Sequence, residues 1–297
     1  MLGSVAQVIA LTAYGNAVLG GAAPPGPDAF YPSNSAFQYC EYVQFVDVSD
    51  RASNGKEIPW AADPVAWFGR LKSEKVRALR LHYVSTAAEN ADKNLPDRMG
   101  AGFVGGGGRW LLEAVTPEGS DYWEARWVVG DQNRADRKIW RVTYGRVARN
   151  RPIPGVPAED IEKLKYELSG ALQQIDKFAR SHNLSEFAKM FERSQAQLSS
   201  TTPEQGVYHK DLLSQGHASL PVQQLLWASQ IGWVFGGMGS WNDVGDDSPE
   251  YERVSEKLFQ TLNRAYAAVA NSTVPPDFQK PKRTAGLLDT FLAFFRQ

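Results

Sequence analysis

Hydrophobic and polar positions change their period once along this chain. Up to residue 150 the apolar residues alternate or gather in short runs, and beyond residue 158 they recur at spacings of three and four. In the first part, residues 36–48 read as a strand rich in aromatic and β-branched side chains, VRALRLHYVS as a second and RWLLEAV at 109–115 as a third. DYWEARWVVGDQNRADRKIWRVTYGRVARN then reads as two long strands joined by a polar turn. Trp123, Ala125, Trp127 and Val129 alternate with Glu124, Arg126 and Val128, which predicts one apolar and one wet face. Asp63 and Pro64 predict the cap and first turn of a short helix.

Three prolines in RNRPIPGVP, residues 149–157, end the sheet pattern. Ile161, Leu164, Leu168, Leu172, Ile175 and Phe178 then mark one amphipathic helix, and Phe187, Phe191 and Leu198 a second at 185–199. Val222 to Phe235 is apolar nearly all round and predicts a buried rod, stopped by Gly236, Gly237 and Gly239. Ser248, Pro249, Glu250 and Glu252 form a strong start signal for a last helix with a stripe of Val254, Leu258, Leu262, Ala265 and Val269. The pattern therefore predicts an α+β chain: a mostly antiparallel β-sheet domain at 1–150, a four-helix bundle at 151–272 wrapped around the apolar rod, and a linker with an apolar helix at 273–297.

Composition narrows the function classes. The 297 residues include 43% apolar side chains, enough to bury a large core, and carry a net charge of -1. Residues 1–152 hold 18 basic and 16 acidic side chains and residues 153–270 hold 10 and 15, so the helical part is a poor partner for nucleic-acid phosphates. The single cysteine, Cys40, excludes an intramolecular disulfide and multi-cysteine metal sites; it fits a cytoplasmic protein and reads as a buried structural thiol. The uncharged opening, MLGSVAQVIALTAYGNAVLGG, lacks the basic start of an export signal and reads as the first packed element, and no stretch predicts a transmembrane segment.

Candidate chemistry concentrates at the end of the apolar rod. MGSWNDVGDDSPEYE puts Gly237, Met238, Ser240, Trp241, Asn242 and Asp243 beside further carboxylates, a pattern that reads first as a helix terminator followed by an acidic cap and, as the functional alternative, as a ligand or partner contact. Its spacing matches no EF-hand, and no metal or cofactor is expected. GAGFVGGGG at 100–108 lacks the GK[ST] ending of a phosphate loop and reads as a connection. His82, His182, His209 and His217 show no metal-binding spacing, and no GxSxG elbow is present. Arg134, Arg137, Lys138, Arg141, Arg146, Arg149 and Arg151, interleaved with Trp140 and Tyr144, read as a single-stranded nucleic-acid face, as a docking face with Arg141 at its centre, or as the wet face of a charge-protected edge strand. The last of these is favoured. GLLDTFLAFFRQ, with Phe291 and Phe295, needs a cover: its own fold, a partner or second copy of the chain, or a membrane surface.

The run VFGGMGSWNDVG followed by YERVSEKLFQTLNRA resembles a motif of small uncharacterised bacterial helical domains over residues 220–270. The resemblance implies a bacterial origin and a recurrent module, and implies no activity. Together these readings lead to the expectation of a soluble bacterial interaction protein without catalysis, immunity-like or an adaptor, that binds another protein. The alternative is an enzyme or small-molecule sensor with its site between the sheet and the Gly236–Asp247 loop.

Overall fold

The computed structural model describes residues 2–22, 30–49, 56–86, 95–152, 158–203, 209–214, 218–275 and 278. Its six strands are β1 (Cys40–Asp47), β2 (Ile58–Ala61), β3 (Ala78–Val84), β4 (Arg109–Val115), β5 (Ser120–Val129) and β6 (Trp140–Arg151), in the order β2-β1-β6-β5-β4-β3. Antiparallel pairing runs from β3 through β6, but β1 lies parallel to β6, Val43 opposite Val142 and Phe45 opposite Tyr144. The sheet is thus mixed rather than purely an antiparallel ladder of sequence neighbours. A consequence is that β6 is an interior strand, so its basic residues do not protect an edge.

The helices are α1 (Gly3–Leu19), α2 (Pro64–Ser73), the single turn α3 (Asp97–Gly100), α4 (Ile161–Ser181), α5 (Ser185–Gln197), α6 (Leu220–Ile231) and α7 (Pro249–Asn271). Local signals set several of their starts. Asp63 accepts from Ala66 N at 2.8 Å, Asp160 from Glu162 N at 2.9 Å and Ser248 from Tyr251 N at 3.2 Å, each satisfying an amide the helix leaves open.

The helices do not form the expected four-helix bundle. Residues Val5 to Ala13 of α1 are buried without a break, and α1 packs on β3, β4, α2 and α7, so a helix from the chain's start lies between the sheet and α7. In α7, Leu258, Phe259, Thr261, Leu262 and Asn263 are all buried, a width of surface that a one-sided stripe does not produce. One side of α7 meets α4 and α6, and the rest meets α1 and β3. The apolar rod is also shorter than its composition predicts. It stops at Ile231, and Trp233–Phe235 leave the helix because Val234 O accepts from Trp241 N at 3.0 Å, closing the loop that follows.

One core cluster contains Phe45, Trp67, Trp123 and Tyr144 from the sheet side with Leu168, Leu225, Leu258 and Tyr266 from the helical side. Gln7 of α1 crosses it with both ends of its amide engaged: Oε1 accepts from Tyr144 Oη at 2.9 Å and Nε2 donates to Ala36 O at 3.3 Å.

Candidate functional site

The loop after α6 is built around a buried indole. Trp241 opens a 3₁₀ turn, Trp241–Asp243, and lies stacked on Tyr251 at 5.6 Å with Phe187 and Phe191 edge-on at 5.1 and 5.4 Å. Its Nε1 donates to Ser255 Oγ at 2.7 Å, and its carbonyl accepts from Tyr251 Oη at 2.6 Å. Ser240 Oγ donates to Gly236 O at 3.1 Å and accepts from Asn242 N at 3.3 Å, while the Asp243 carboxylate accepts from Gly239 N at 2.6 Å. Gly239 has φ +82°, a value a side chain would resist.

From the sheet side, α3 and the run to Arg109 reach this loop. Asp97 accepts from Tyr83 Oη at 3.0 Å, Ser85 Oγ at 2.7 Å and Thr86 Oγ1 at 2.6 Å, pinning α3 to the end of β3. Burial, reinforced by the Asp97 charge, pushes the Tyr83 phenol well above its ordinary range. Arg98 is buried, ion-paired with Glu252 and 5.3 Å over the Tyr251 ring, and its carbonyl accepts from Asn242 Nδ2 at 2.9 Å. At Gly102 the two glycine-rich loops touch: a Cβ there would stand 2.5 Å from Gly236 O and 2.8 Å from Gly237 N.

The tips beyond that contact carry apolar side chains in water. Met238 is 102% exposed, Phe103 74% and Val104 51%. Phe103 follows Gly102 and Met238 follows Gly237, so both leave the same point of contact from loops far apart in sequence.

No family model, curated protein or solved structure matches this chain. The site is therefore read from its geometry.

The structure separates the sequence-predicted residues into groups. Gly237 and Met238 are exposed at the loop tip, Ser240 and Asn242 are half-buried loop and interloop contacts, and Asp243 is exposed and engaged with Gly239. Trp241, by contrast, is a wholly buried anchor. Arg141 makes its contacts on the strand next to it, donating to Glu41 at 2.7 Å. Phe291 and Phe295 lie outside the described residues. The basic stretch around Arg141 is balanced by acids: Arg134 pairs with Asp136 at 2.8 Å, and Arg146 with Asp47 and, at 3.1 Å, with Asp121.

Two clusters carry the residue types of a hydrolase without its order. Ser35 Oγ donates to Asp211 and lies 3.0 Å from His209 Nδ1, so serine sits between acid and imidazole and its proton is directed to the acid. On the far face of the sheet, Glu113 takes a bond from Ser120 Oγ at 2.6 Å and lies 2.7 Å from His82 Nε2. Burial works to raise the Glu113 carboxyl, but His82, Arg80 and Ser120 hold it below its usual range, as in a structural ion network. Among the described residues no group of three or more His, Cys, Asp or Glu is placed to hold a metal ion, and no helix is long and apolar enough to cross a membrane. The Cys40 thiol is buried and pushed up to about 12, chiefly by burial.

Arg98, Gly102 and Phe103 were missing from the sequence-level site. The visible signal was a second glycine-rich run, but nothing in one sequence pairs residue 102 with residue 236.

Proposed function

We propose that the chain is a protein-docking module without catalysis of its own, an adaptor or immunity-like protein of bacterial type that positions or neutralises another protein. The observation that carries this reading is the display of Phe103, Val104 and Met238 in water on two loops braced by Gly102 against Gly236. Large apolar side chains held on a rigid base lose little freedom on binding and fill pockets on a partner. Beside them Asp243, Asp247 and Glu250 are exposed, which favours a partner whose apolar pocket has a basic rim. A reducing compartment such as the cytoplasm suits the single buried thiol of Cys40.

The test compares the wild-type chain with the double variant Phe103→Asp/Met238→Asp in affinity capture from a bacterial lysate, quantified by mass spectrometry. A specific protein recovered by the wild type and lost by the variant, with both chains melting at the same temperature, supports the proposal. Equal recovery by the two, or substrate turnover that survives in the variant, overturns it.

A further inference from the structure

One face of the sheet is shut off from water although the described helices that pack on the sheet lie against the other. Leu79, Leu81, Leu112, Ala114 and Trp123 belong to the core beneath the helices, so the residues between them, Ala78, Arg80, His82, Leu111, Glu113 and Tyr122, point the opposite way. On that outer side Leu111, Tyr122 and Ala148, with Val84 and Val147, form an apolar cluster drawn from strands alone among the described residues. A sheet face left to water keeps its side chains partly exposed. Leu111, Glu113 and Tyr122 are instead 0% exposed and Ala148 2%, so a cover lies over them.

The chain beyond α7 turns toward this face. Val274 is buried against Ala78 and Val115, Phe278 packs on the same cluster, and Arg80 donates to Phe278 O at 2.7 Å, so residue 278 already stands on the outer side. Leu111 is four residues along β4 from Val115, about 13 Å. Residues 279–284 span up to about 21 Å, enough to reach it. The sequence that follows, AGLLDTFLAFFRQ at 285–297, gathers Leu287, Leu288, Phe291, Leu292, Phe294 and Phe295 within about 160° of a helical projection and sets Asp289, Thr290 and Arg296 opposite them. A helix of that length is about 20 Å long, against about 14 Å from β3 across to β6. Other stretches outside the described residues that border β3 to β6 are poorer covers: AAENADKN at 87–94 has no large apolar side chain, and IPGVP at 153–157 has only Ile153 and Val156.

We propose that residues 285–297 form an amphipathic helix docked across the outer face of β3 to β6 in the same chain, with its leucines and phenylalanines on Leu111, Tyr122 and Ala148. The sheet then becomes the middle of three layers. A segment joined to Phe278 by so short a connection meets the face at an effective concentration on the order of millimolar, which favours the same chain over a second copy. The same cover keeps water from Glu113, whose bonds run to Ser120, His82 and Arg80 within the sheet. None of this depends on the docking role of the glycine-rich loops.

The test reads access to the face in the full chain. Ala148→Cys sets a small thiol in the cluster, the native Cys40 being buried in the core, and alkylation by iodoacetamide is followed by mass spectrometry. Labelling at position 148 is expected to be slow, independent of protein concentration, and at least about tenfold faster once Phe291→Asp/Phe295→Asp is added, with melting still cooperative. Val147→Cys, at the rim of the cluster, repeats the measurement if Ala148→Cys fails to fold, and Phe291→Ala/Phe295→Ala replaces the aspartates if they prevent folding. Fast labelling without the phenylalanine substitutions shows an open face, and slow labelling unchanged by them shows a cover other than residues 285–297; either result overturns the proposal. Protection that grows with protein concentration, together with a dimer in sedimentation, assigns the segment to a second copy and overturns docking in the same chain.

Discussion

The side-chain amide of Asn271 takes the place of a neighbouring strand beside Leu81: Leu81 N donates to its Oδ1 at 2.7 Å and its Nδ2 donates to Leu81 O at 2.9 Å. Asn16 does the same for Leu79 two residues earlier, at 2.7 and 2.9 Å. β3 is an outer strand of the sheet, so its outward N–H and C=O groups would otherwise be open to another chain. Helices from the two ends of the described chain thus close the same edge.

Asn271→Ala is expected to lower stability by about 1–3 kcal/mol, because both groups of Leu81 lose their partners while remaining partly buried. Urea unfolding measures it. Asn16→Ala should cost at least as much, since Asn16 also donates to Thr273 Oγ1 at 3.0 Å. Asn271→Asp, which sets a carboxylate oxygen against Leu81 O with no proton between them, should cost at least as much as Asn271→Ala.

The contact between the glycine-rich loops predicts opposite outcomes for two alanine substitutions. At Gly102 the new methyl would meet the backbone of Gly236 at 2.5 Å, so Gly102→Ala should destabilise by about 1–3 kcal/mol. Gly237 has nothing within 4 Å of a Cβ, and Gly237→Ala should stay within about 0.5 kcal/mol of the wild type. Equal melting temperatures for the two variants would show that the loops do not touch.

Arg146 is buried between Asp47 and Asp121, with its guanidinium 5.4 Å from the Trp60 ring centre and 5.5 Å from that of Trp123. Although burial acts to raise the Asp47 carboxyl, the bonds from Arg146 and Ser49 hold it below the usual range. Arg146→Met should therefore cost about 3–5 kcal/mol by taking the buried guanidinium from two carboxylates, leaving Asp47 with Ser49 and Arg149 at 3.9 Å and Asp121 with the Asn150 amide. Adding Asp47→Asn should recover part of that loss in chemical denaturation.

Burial lowers the His209 imidazole from 6.5 to about 4, against the opposing pull of Asp211. Between those values the unfolded chain binds a proton that the folded chain does not, so stability is full above 6.5 and falls as the pH drops toward 4. The loss is at most on the order of 3 kcal/mol. Urea midpoints at pH 7, 5.5 and 4.5 should decline in the wild type, and the part of the decline due to His209 should vanish in His209→Gln.

Local features of the fold were legible because local chemistry sets them. Asp63 with Pro64 and Ser248 with Pro249 mark helix starts that the structure reproduces, and the run Arg109–Val115 forms a strand with those bounds. What failed was the choice of neighbour. Asn16 and Asn271 look like ordinary polar residues on helices, and only their distance to Leu79 and Leu81 shows that they act as strand substitutes. The parallel partner of β1 was hidden for the same reason. At the candidate site, glycine content was visible in both loops, whereas the burial of Trp241 under Phe187, Phe191 and Tyr251, and the role of Arg98, 144 residues before its partner Asn242, arise from contacts between separate segments.

The parallel seam between β1 and β6 has a consequence for biosynthesis. As the chain leaves the ribosome, Cys40–Asp47 emerges long before Trp140–Arg151, the segment that will lie against it. Until then β1 has the four-residue β2 and the short helix α2 for company, and its flank away from β2 waits unpaired. The nascent protein completes its sheet only when β6 slides between β1 and β5, so a pause in translation just before residue 140 would expose the segment most prone to pair with a stranger.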